Sequence, residues 1–262
     1  MIDDMQHQLQ IIPIPAFEDN YIWLIHNGYQ AIVVDPGDAT PVLHALKTLQ
    51  LELVTLLITH HHLDHIAGVS ELMEKHPDIK VFAPSLERYG FKHTPVSEPD
   101  VIQCSGWTPR TRVLDVPGHT LGHVAYYIEH SSQKLLFCGD SLFGAGCGRL
   151  FEGTPRQMMT SLEKLTRLPT DTQVYCTHEY TLQNINFALS LEPGNAALIQ
   201  RHQNTIALRN IQQPSLPSNI ALELATNPFL RCNSKEIQSS VQLKNPTPLQ
   251  VFSKIREMRN VY

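Results

Sequence analysis

Residues 59–65, Thr59-His60-His61-His62-Leu63-Asp64-His65, decide the fold. Residues 53–58 before them form a short apolar run that reads as a β-strand. A strand end therefore presents His60, His62, Asp64 and His65 within six residues. Side chains alternate along an extended segment, which turns His60 and His62 to one side and His61 to the other. Imidazole nitrogens together with a carboxylate suit zinc, iron or manganese. One histidine in such a place is ordinarily a surface group; four histidines and an aspartate read as a metal-binding loop.

Counting His61, the five donors of this loop are too many for one tetrahedral ion and too few for two. Three other places supply more. Val116-Pro117-Gly118-His119-Thr120 puts a histidine in a tight turn after a strand, Phe137-Cys138-Gly139-Asp140 puts a carboxylate at a strand end, and Val174-Tyr175-Cys176-Thr177-His178 ends a third strand on a histidine. Each polar residue follows an apolar strand, and strand ends on one rim of a sheet are where α/β proteins build sites.

Outward from the cluster, residues 9–14, 21–26 and 31–34 read as successive strands, with Asn27-Gly28 as a hairpin turn. Residues 41–49 have helical spacing with Thr40 as the expected N-cap, and residues 66–75 read as one helix. Further strands are expected at 80–83, 101–104, 112–116, 124–128, 134–138 and 174–176, and a helix at 157–168. After His178 the β-branched runs give way to helical segments at 182–191 and 196–212. The last helix is expected from Thr247-Pro248, a cap followed by proline at the first helical position, with Leu249, Phe252 and Ile255 on one face. The expected organisation is a mixed α/β domain over residues 1–177 and a helical domain over residues 178–262.

The 262 residues suffice for one large domain or a domain with a smaller companion. A formal net charge of −5 argues against a nucleic-acid binder but leaves room for a local basic pocket. The five cysteines (Cys104, Cys138, Cys147, Cys176, Cys232) are scattered without a CxxC pair and read as reduced thiols. The start MIDDMQHQLQ lacks the basic and apolar regions of a secretory signal. No stretch approaches the roughly 20 apolar residues that span a bilayer. A soluble, cytoplasmic protein is expected, with no membrane partner.

The run Thr59–His65, then Pro117-Gly118-His119-Thr120, Gly139-Asp140 and His178, resembles the metallo-β-lactamase superfamily through the first domain. The resemblance implies an α+β fold, a four-layer αβ/βα sandwich with the site at one edge between its sheets, here with a smaller C-terminal helical domain. Carried over by motif, His60, His62 and His119 would hold one ion. Asp64, His65 and His178 would hold the second, and Asp140 would bridge them.

The segments Phe143-Gly144-Ala145-Gly146-Cys147-Gly148-Arg149-Leu150-Phe151-Glu152-Gly153 and Thr177-His178-Glu179-Tyr180-Thr181, with Asn184 and the early Asp19-Asn20-Tyr21, are similar to the glyoxalase II, or hydroxyacylglutathione hydrolase, family. This likeness spans nearly the whole chain. It implies hydrolysis of S-D-lactoylglutathione and related 2-hydroxyacyl glutathione thioesters to glutathione and D-lactate, the second step of methylglyoxal detoxification. The nucleophile would be a hydroxide bridging two divalent ions, zinc first, with iron or manganese as alternatives. Asp64 is a candidate proton acceptor beside its role as ligand.

For the substrate, the resemblance implies Arg149, Tyr180, Arg256 and Arg259. The last two are three apart and share a helix face. The family often has Arg-x-x-Lys there, and has forms with Lys and Tyr where this chain has Arg149 and Phe151. The expected partner is a small glutathione thioester, and the chain is expected to work as a monomer. His123 is expected to orient a ligand rather than serve as one. Cys147, between two glycines, reads as part of a turn. A persulfide dioxygenase shares the fold, but the HEYT segment, the basic pair and the helical C-terminal part favour the hydrolase. A β-lactamase or lactonase would need no helix for glutathione.

Overall fold

A computed structural model describes residues 8–103 and 109–262. His7, and Cys104 at the end of the expected strand 101–104, lie outside the described residues. The chain forms two compact units, Met1–Asp115 with Leu121–Gly139, and Val116–Thr120 with Asp140–Tyr262.

In the first unit, β1 (Gln10–Ala16), β2 (Asn20–His26) and β3 (Gln30–Val34) form an antiparallel meander. The Asn27-Gly28 turn joins β2 to β3. Asn27 Oδ1 accepts from the backbone N–H of Tyr29 and Gln30, both at 2.9 Å, and Gly28 takes φ 94°. After helix α1 (Ala39–Leu49), β4 (Glu52–Leu57) returns parallel to β3. Helices α2 (Leu63–Ile66) and α3 (Val69–Lys75) lead to β5 (Lys80–Pro84) and the short β6 (Thr94–Val96), which extend the sheet in parallel. The strand order is β1-β2-β3-β4-β5-β6. All of β2 is buried, so its Asn-Tyr-Ile-Trp-Leu-Ile-His run shows no polar alternation. Val42 and Leu46 of α1, and Val69 and Leu72 of α3, share one core cluster with Leu24, Val33, Leu56 and Ile58.

A second, antiparallel sheet in the same unit contains β7 (Val101–Ile102), β8 (Thr111–Asp115), β9 (Val124–His130) and β10 (Gln133–Gly139). Tyr126 of β9 is fully buried, and its hydroxyl donates to the carbonyl of Ile58 at 2.7 Å. The second sheet thus ties down the end of β4, where the histidine run starts.

Two local expectations are corrected here. Helix α1 is capped by Asp38, whose Oδ1 accepts from Thr40 N–H at 2.8 Å; Thr40 itself lies inside the helix. The segment 66–75 is not one helix but is broken at residues 67–68. The Gly68 N–H donates to the Pro36 carbonyl at 2.9 Å, and a Cβ there would lie 2.5 Å from the backbone nitrogen of Ala39. That backbone approach requires glycine and ends α2.

The second unit begins with the hairpin β11 (Leu142–Phe143) and β12 (Gly146–Cys147). Helix α4 (Pro155–Leu165) starts on a Thr154 capping box with Gln157. Strand β13 (Gln173–Cys176) ends just before His178 and pairs antiparallel with β14 (Ser218–Asn219). The helices are α5 (Thr181–Leu191), α6 (Ala196–Asn210), α7 (Ile220–Thr226), α8 (Lys235–Ser240) and α9 (Pro248–Val261). Helix α9 has the expected Thr247 cap, reinforced by Gln250. Its buried face is Val251, Phe252, Ile255 and Arg256, with Leu249 only half-buried.

A buried polar network holds the β11–β12 hairpin. Arg201 Nη2 donates to Glu223 Oε1 at 2.6 Å, and the other oxygen of Glu223 accepts from the Ala145 N–H at 2.9 Å and from Asn227 Nδ2 at 3.0 Å. Asn227 also donates to the carbonyls of Phe143 and Gly146. Breaking such a buried pair on one side costs about 3–5 kcal/mol, since it strands a charge.

At the end of α5, Glu192 receives Arg231 through two bonds of 2.8 Å, with Ser234 and Asn195 completing its partners. Burial alone would raise its pKa, yet these donors hold it down to about 2, from 4.5. A depressed carboxylate stabilises the fold above its unfolded value, and this contribution disappears as pH falls through the folded value. Glu192→Gln should therefore flatten the acid dependence of unfolding between about pH 5 and pH 2. Equal slopes for the variant and the parent in denaturant titrations would refute this.

Candidate metal centre

In the first unit the donors are gathered by one carboxylate that the sequence reading passed over. Asp35 follows β3 directly, beside the end of β4, and has φ 51°. Its Oδ1 accepts from the Thr59 N–H at 2.7 Å. Its Oδ2 accepts from the Thr59 hydroxyl at 2.7 Å and faces His65 Nδ1 at 2.9 Å. Thr59 Oγ1 in turn lies 3.1 Å from His60 Nδ1. The signal for Asp35 was present, because a carboxylate opening a Pro-Gly turn at a strand end obeys the same rule that singled out Asp140.

His65 uses Nδ1 on Asp35, which leaves Nε2 facing Asp64 Oδ2 at 3.5 Å. The Asn20 side-chain amide donates to that same Asp64 oxygen at 3.0 Å. His60 Nε2 lies 3.1 Å from His62 Nδ1. His123 stacks on His60 with ring centroids 4.7 Å apart, supporting it from the side. His61 reaches Glu87 at 3.3 Å instead. His60 and His65 are fully buried, while His62 and Asp64 are half-buried.

In the second unit, Asp140 stands just ahead of β11, with His119 and His178 on the same oxygen. His119 Nε2 lies 3.4 Å from Asp140 Oδ2, and His178 Nε2 lies 3.3 Å from it. His119 Nδ1 donates to the Arg149 carbonyl at 2.8 Å. The His178 ring stacks flat on Tyr180, centroids 4.7 Å apart and planes 4° from parallel. Gly148 is required by close approach, since a Cβ would sit 1.9 Å from the Asp140 carbonyl oxygen. His119, Asp140 and His178 are all buried.

The donor spacing fits metal ions. Ligands at the 2.0–2.1 Å distances of zinc in a tetrahedron lie roughly 3.3 Å from one another. The His60–His62, His65–Asp64, His119–Asp140 and His178–Asp140 contacts fall between 3.1 and 3.5 Å. In His65 and His119 one ring nitrogen is held by a carboxylate or a carbonyl while the other faces a second donor. This is the outer-shell arrangement that orients metal-binding imidazoles. The residues His60, His62, Asp64 and His65 in the first unit, and His119, Asp140 and His178 in the second, make up the described groups able to hold a metal ion.

The cations expected for substrate lie in the second unit. Arg149 is exposed and Tyr180 half-buried. Arg256 is buried, and its Nη1 donates to the Cys147 carbonyl at 2.6 Å. Arg259 Nε donates to Asn184 Oδ1 at 3.0 Å. The pKa of Arg259 is lowered by burial and then by the charges of Arg256 and Arg149, so the three guanidinium groups feel one another.

Residues 16–178 match the family model described as metallo-beta-lactamase superfamily, which gives the class of this fold and site. Residues 179–262 match the model described as hydroxyacylglutathione hydrolase C-terminus. A hydroxyacylglutathione hydrolase of Methylobacillus flagellatus is 55% identical, with 96% of this chain and 98% of that protein covered. One of Nitrosomonas europaea is 46% identical, with 96% of each covered. Among solved structures, TTHA1623 in a di-iron-bound form has a TM-score of 0.60 at 24% identity, covering 84% of this chain and 100% of that one. At that identity the likeness shows the fold alone. The chain belongs to the hydroxyacylglutathione hydrolase family within the metallo-β-lactamase superfamily. Superfamily and donor set together support a binuclear metal site.

Replacing Asp35 with Asn would remove an acceptor for the Thr59 hydroxyl and for His65 Nδ1. Asp35→Asn should weaken divalent metal binding about 10–100-fold in competition with a chromophoric chelator. Unchanged affinity would remove Asp35 from the support of the site.

Proposed function

We propose that this protein hydrolyses S-D-lactoylglutathione and related 2-hydroxyacyl glutathione thioesters to glutathione and the free hydroxy acid, D-lactate from the lactoyl substrate. One observation carries the reading to this substrate. The backbone of Arg149 holds His119, while its side chain belongs to the cationic group with Arg256 and Arg259. Catalytic donors and anion-binding groups thus share one segment. Glutathione has two carboxylates, and arginine forks suit them.

In this proposal His60, His62 and His119 would hold one ion, Asp64, His65 and His178 would hold the other, and Asp140 would serve both. Zinc suits the donors, with iron or manganese as alternatives. Two bound divalent ions would lower the pKa of a bound water to about 7 and would supply a Lewis acid for the carbonyl oxygen. Around them the chain's own groups orient and bind. Asp64, whose Oδ2 accepts from the Asn20 amide, would take a proton from the nucleophile. Asp35 and the Arg149 carbonyl keep His65 and His119 in one tautomer. The leaving thiolate, with an acid pKa of about 8.5, needs little help from a general acid. Arg149, Tyr180, Arg256 and Arg259 bind the glutathione part.

We assign catalysis to a domain of residues 1–177 and substrate binding to a helical domain of residues 178–262. Among the described residues no helix is long and apolar enough to cross a membrane. Cys138, Cys147, Cys176 and Cys232 are buried and form no disulfide among the described residues, which accords with a reducing cytoplasm. A monomer that uses neither nucleic acid nor membrane completes the proposal.

The metal-loaded protein should hydrolyse S-D-lactoylglutathione, lose the activity on chelation and regain it on adding metal. Absence of hydrolysis by the loaded protein would sink the proposal and direct attention to oxygen uptake with glutathione persulfide. Asp140→Ala should abolish turnover and release at least one ion per chain by elemental analysis. Full metal content with retained activity would exclude Asp140 as the shared ligand.

A further inference from the structure

Arg256 is an odd residue for a helix face. It is 5% exposed, and its guanidinium meets carbonyl oxygens rather than a carboxylate. Nη1 donates to the Cys147 carbonyl at 2.6 Å and approaches the Gly148 carbonyl at 3.4 Å, while the group lies over the Phe229 ring at 5.2 Å. Its Nε is buried with no hydrogen-bond partner among the described residues. Removing a charge from water is costly, and neutral carbonyls return only part of that cost. A residue that serves only to bind a substrate carboxylate has no need of such an anchorage.

The two carbonyls it grips belong to the turn that shapes the second donor cluster. The Gly148 N–H donates to the Ser141 carbonyl at 3.1 Å, and the Gly148 Cα lies against the Asp140 carbonyl. The next carbonyl, that of Arg149, accepts from His119 Nδ1 at 2.8 Å. The N–H groups of Phe151 and Glu152 return to the His119 carbonyl at 3.2 and 3.3 Å. A guanidinium on α9 is therefore one peptide away from the group that sets the tautomer and ring angle of His119, and in contact with the residue packed on Asp140.

We propose that Arg256 is a positioning residue for the metal centre: by fixing the Cys147–Arg149 backbone it orients His119 and Asp140, in addition to any contact with substrate. This rests on the thioesterase reading only for the kinetic half of its test. An arginine that merely binds a remote carboxylate raises KM and leaves kcat alone when replaced. A positioning arginine acts on kcat and on metal affinity as well, because misplacing an outer-shell partner typically costs 10–100-fold.

The experiment uses full-length protein with Arg256→Lys and Arg256→Gln. Lysine keeps the charge but has a compact ammonium in place of the planar fork, and glutamine removes the charge. Zinc affinity is measured against a chelator, kcat and KM are measured on S-D-lactoylglutathione, and circular dichroism melts report folding. The expected result is a zinc affinity about 10-fold or more weaker, with a kcat drop of similar size, in at least one folded variant, Lys milder than Gln. Wild-type zinc affinity and kcat in the folded variants, with only KM raised, would overturn the proposal. So would failure of both variants to fold, which would make Arg256 a support of the whole unit rather than of this turn. The zinc measurement needs no turnover. An inactive wild-type protein would therefore refute the thioesterase reading and still leave the positioning role to be decided by metal affinity.

Discussion

The carboxylate of Asp35 is the fixed point of the first donor cluster. A histidine presents a lone pair to a cation only if its other nitrogen is committed elsewhere, and only if the ring is kept from turning. Asp35 meets both needs for His65. It also takes the N–H and the hydroxyl of Thr59, and so fixes the backbone one residue before His60. Its own position comes from the sheet, since β3 and β4 run parallel and end side by side, with the Asp35 N–H on the Leu57 carbonyl at 3.0 Å. The metal loop thus inherits the rigidity of a buried parallel pair. The φ of 51° at Asp35 is a strained conformation of the kind that surrounding structure must enforce.

The second cluster reaches the same end by backbone means. The Arg149 carbonyl does for His119 what Asp35 does for His65, but a carbonyl is only as well placed as the chain that carries it. That explains the density of constraint on residues 142–149. Glu223 and Asn227 hold the β11–β12 hairpin from one side, Asn184 takes the Gly144 carbonyl, and Arg256 takes the Cys147 carbonyl. Glu223 can be buried beside a backbone N–H because Arg201 neutralises it. The helices of this unit have a structural task before they have any task in binding.

Donors at strand ends are legible in the sequence because apolar runs reveal strands, and the polar residue after each run stands out. Hence His60, Asp140 and His178 are visible one by one. A mixed α/β part followed by a helical part is legible for the same reason, together with the change to helical spacing after His178, whereas the four-layer sandwich comes only from the family resemblance. Asp35 obeys the rule too, but it lies far along the chain from the histidines it serves, and only β3–β4 pairing brings it near Thr59. The break at residues 67–68 is hidden because it depends on Gly68 bonding to Pro36 rather than on local propensity. Strands of two or three residues, such as β6 and β14, are too short to show a period. Arg256 is misleading in a different way. A cation on an amphipathic helix reads as solvated or ligand-facing, and nothing local to α9 reveals the carbonyls waiting for it.

The cations of the second unit make electrostatic sense only as a group. Arg259 is held by Asn184, a neutral amide, and its pKa is drawn down by burial and by Arg256 and Arg149. Protonated neighbours repel, so such a group stays charged at some cost to the folded chain. In the proposed function that cost would be recovered on binding an anion, and the gain would be confined to ligands with negative charge at the right place. In a chain of net charge −5, such a group cannot arise from a general basic surface. Arg256 belongs to this group and to the turn behind His119 alike. Under the proposed function, charge neutralised at this group would act on the residue proposed to steady the His119 imidazole, a physical route by which a remote part of a substrate would contribute to chemistry at the reacting centre.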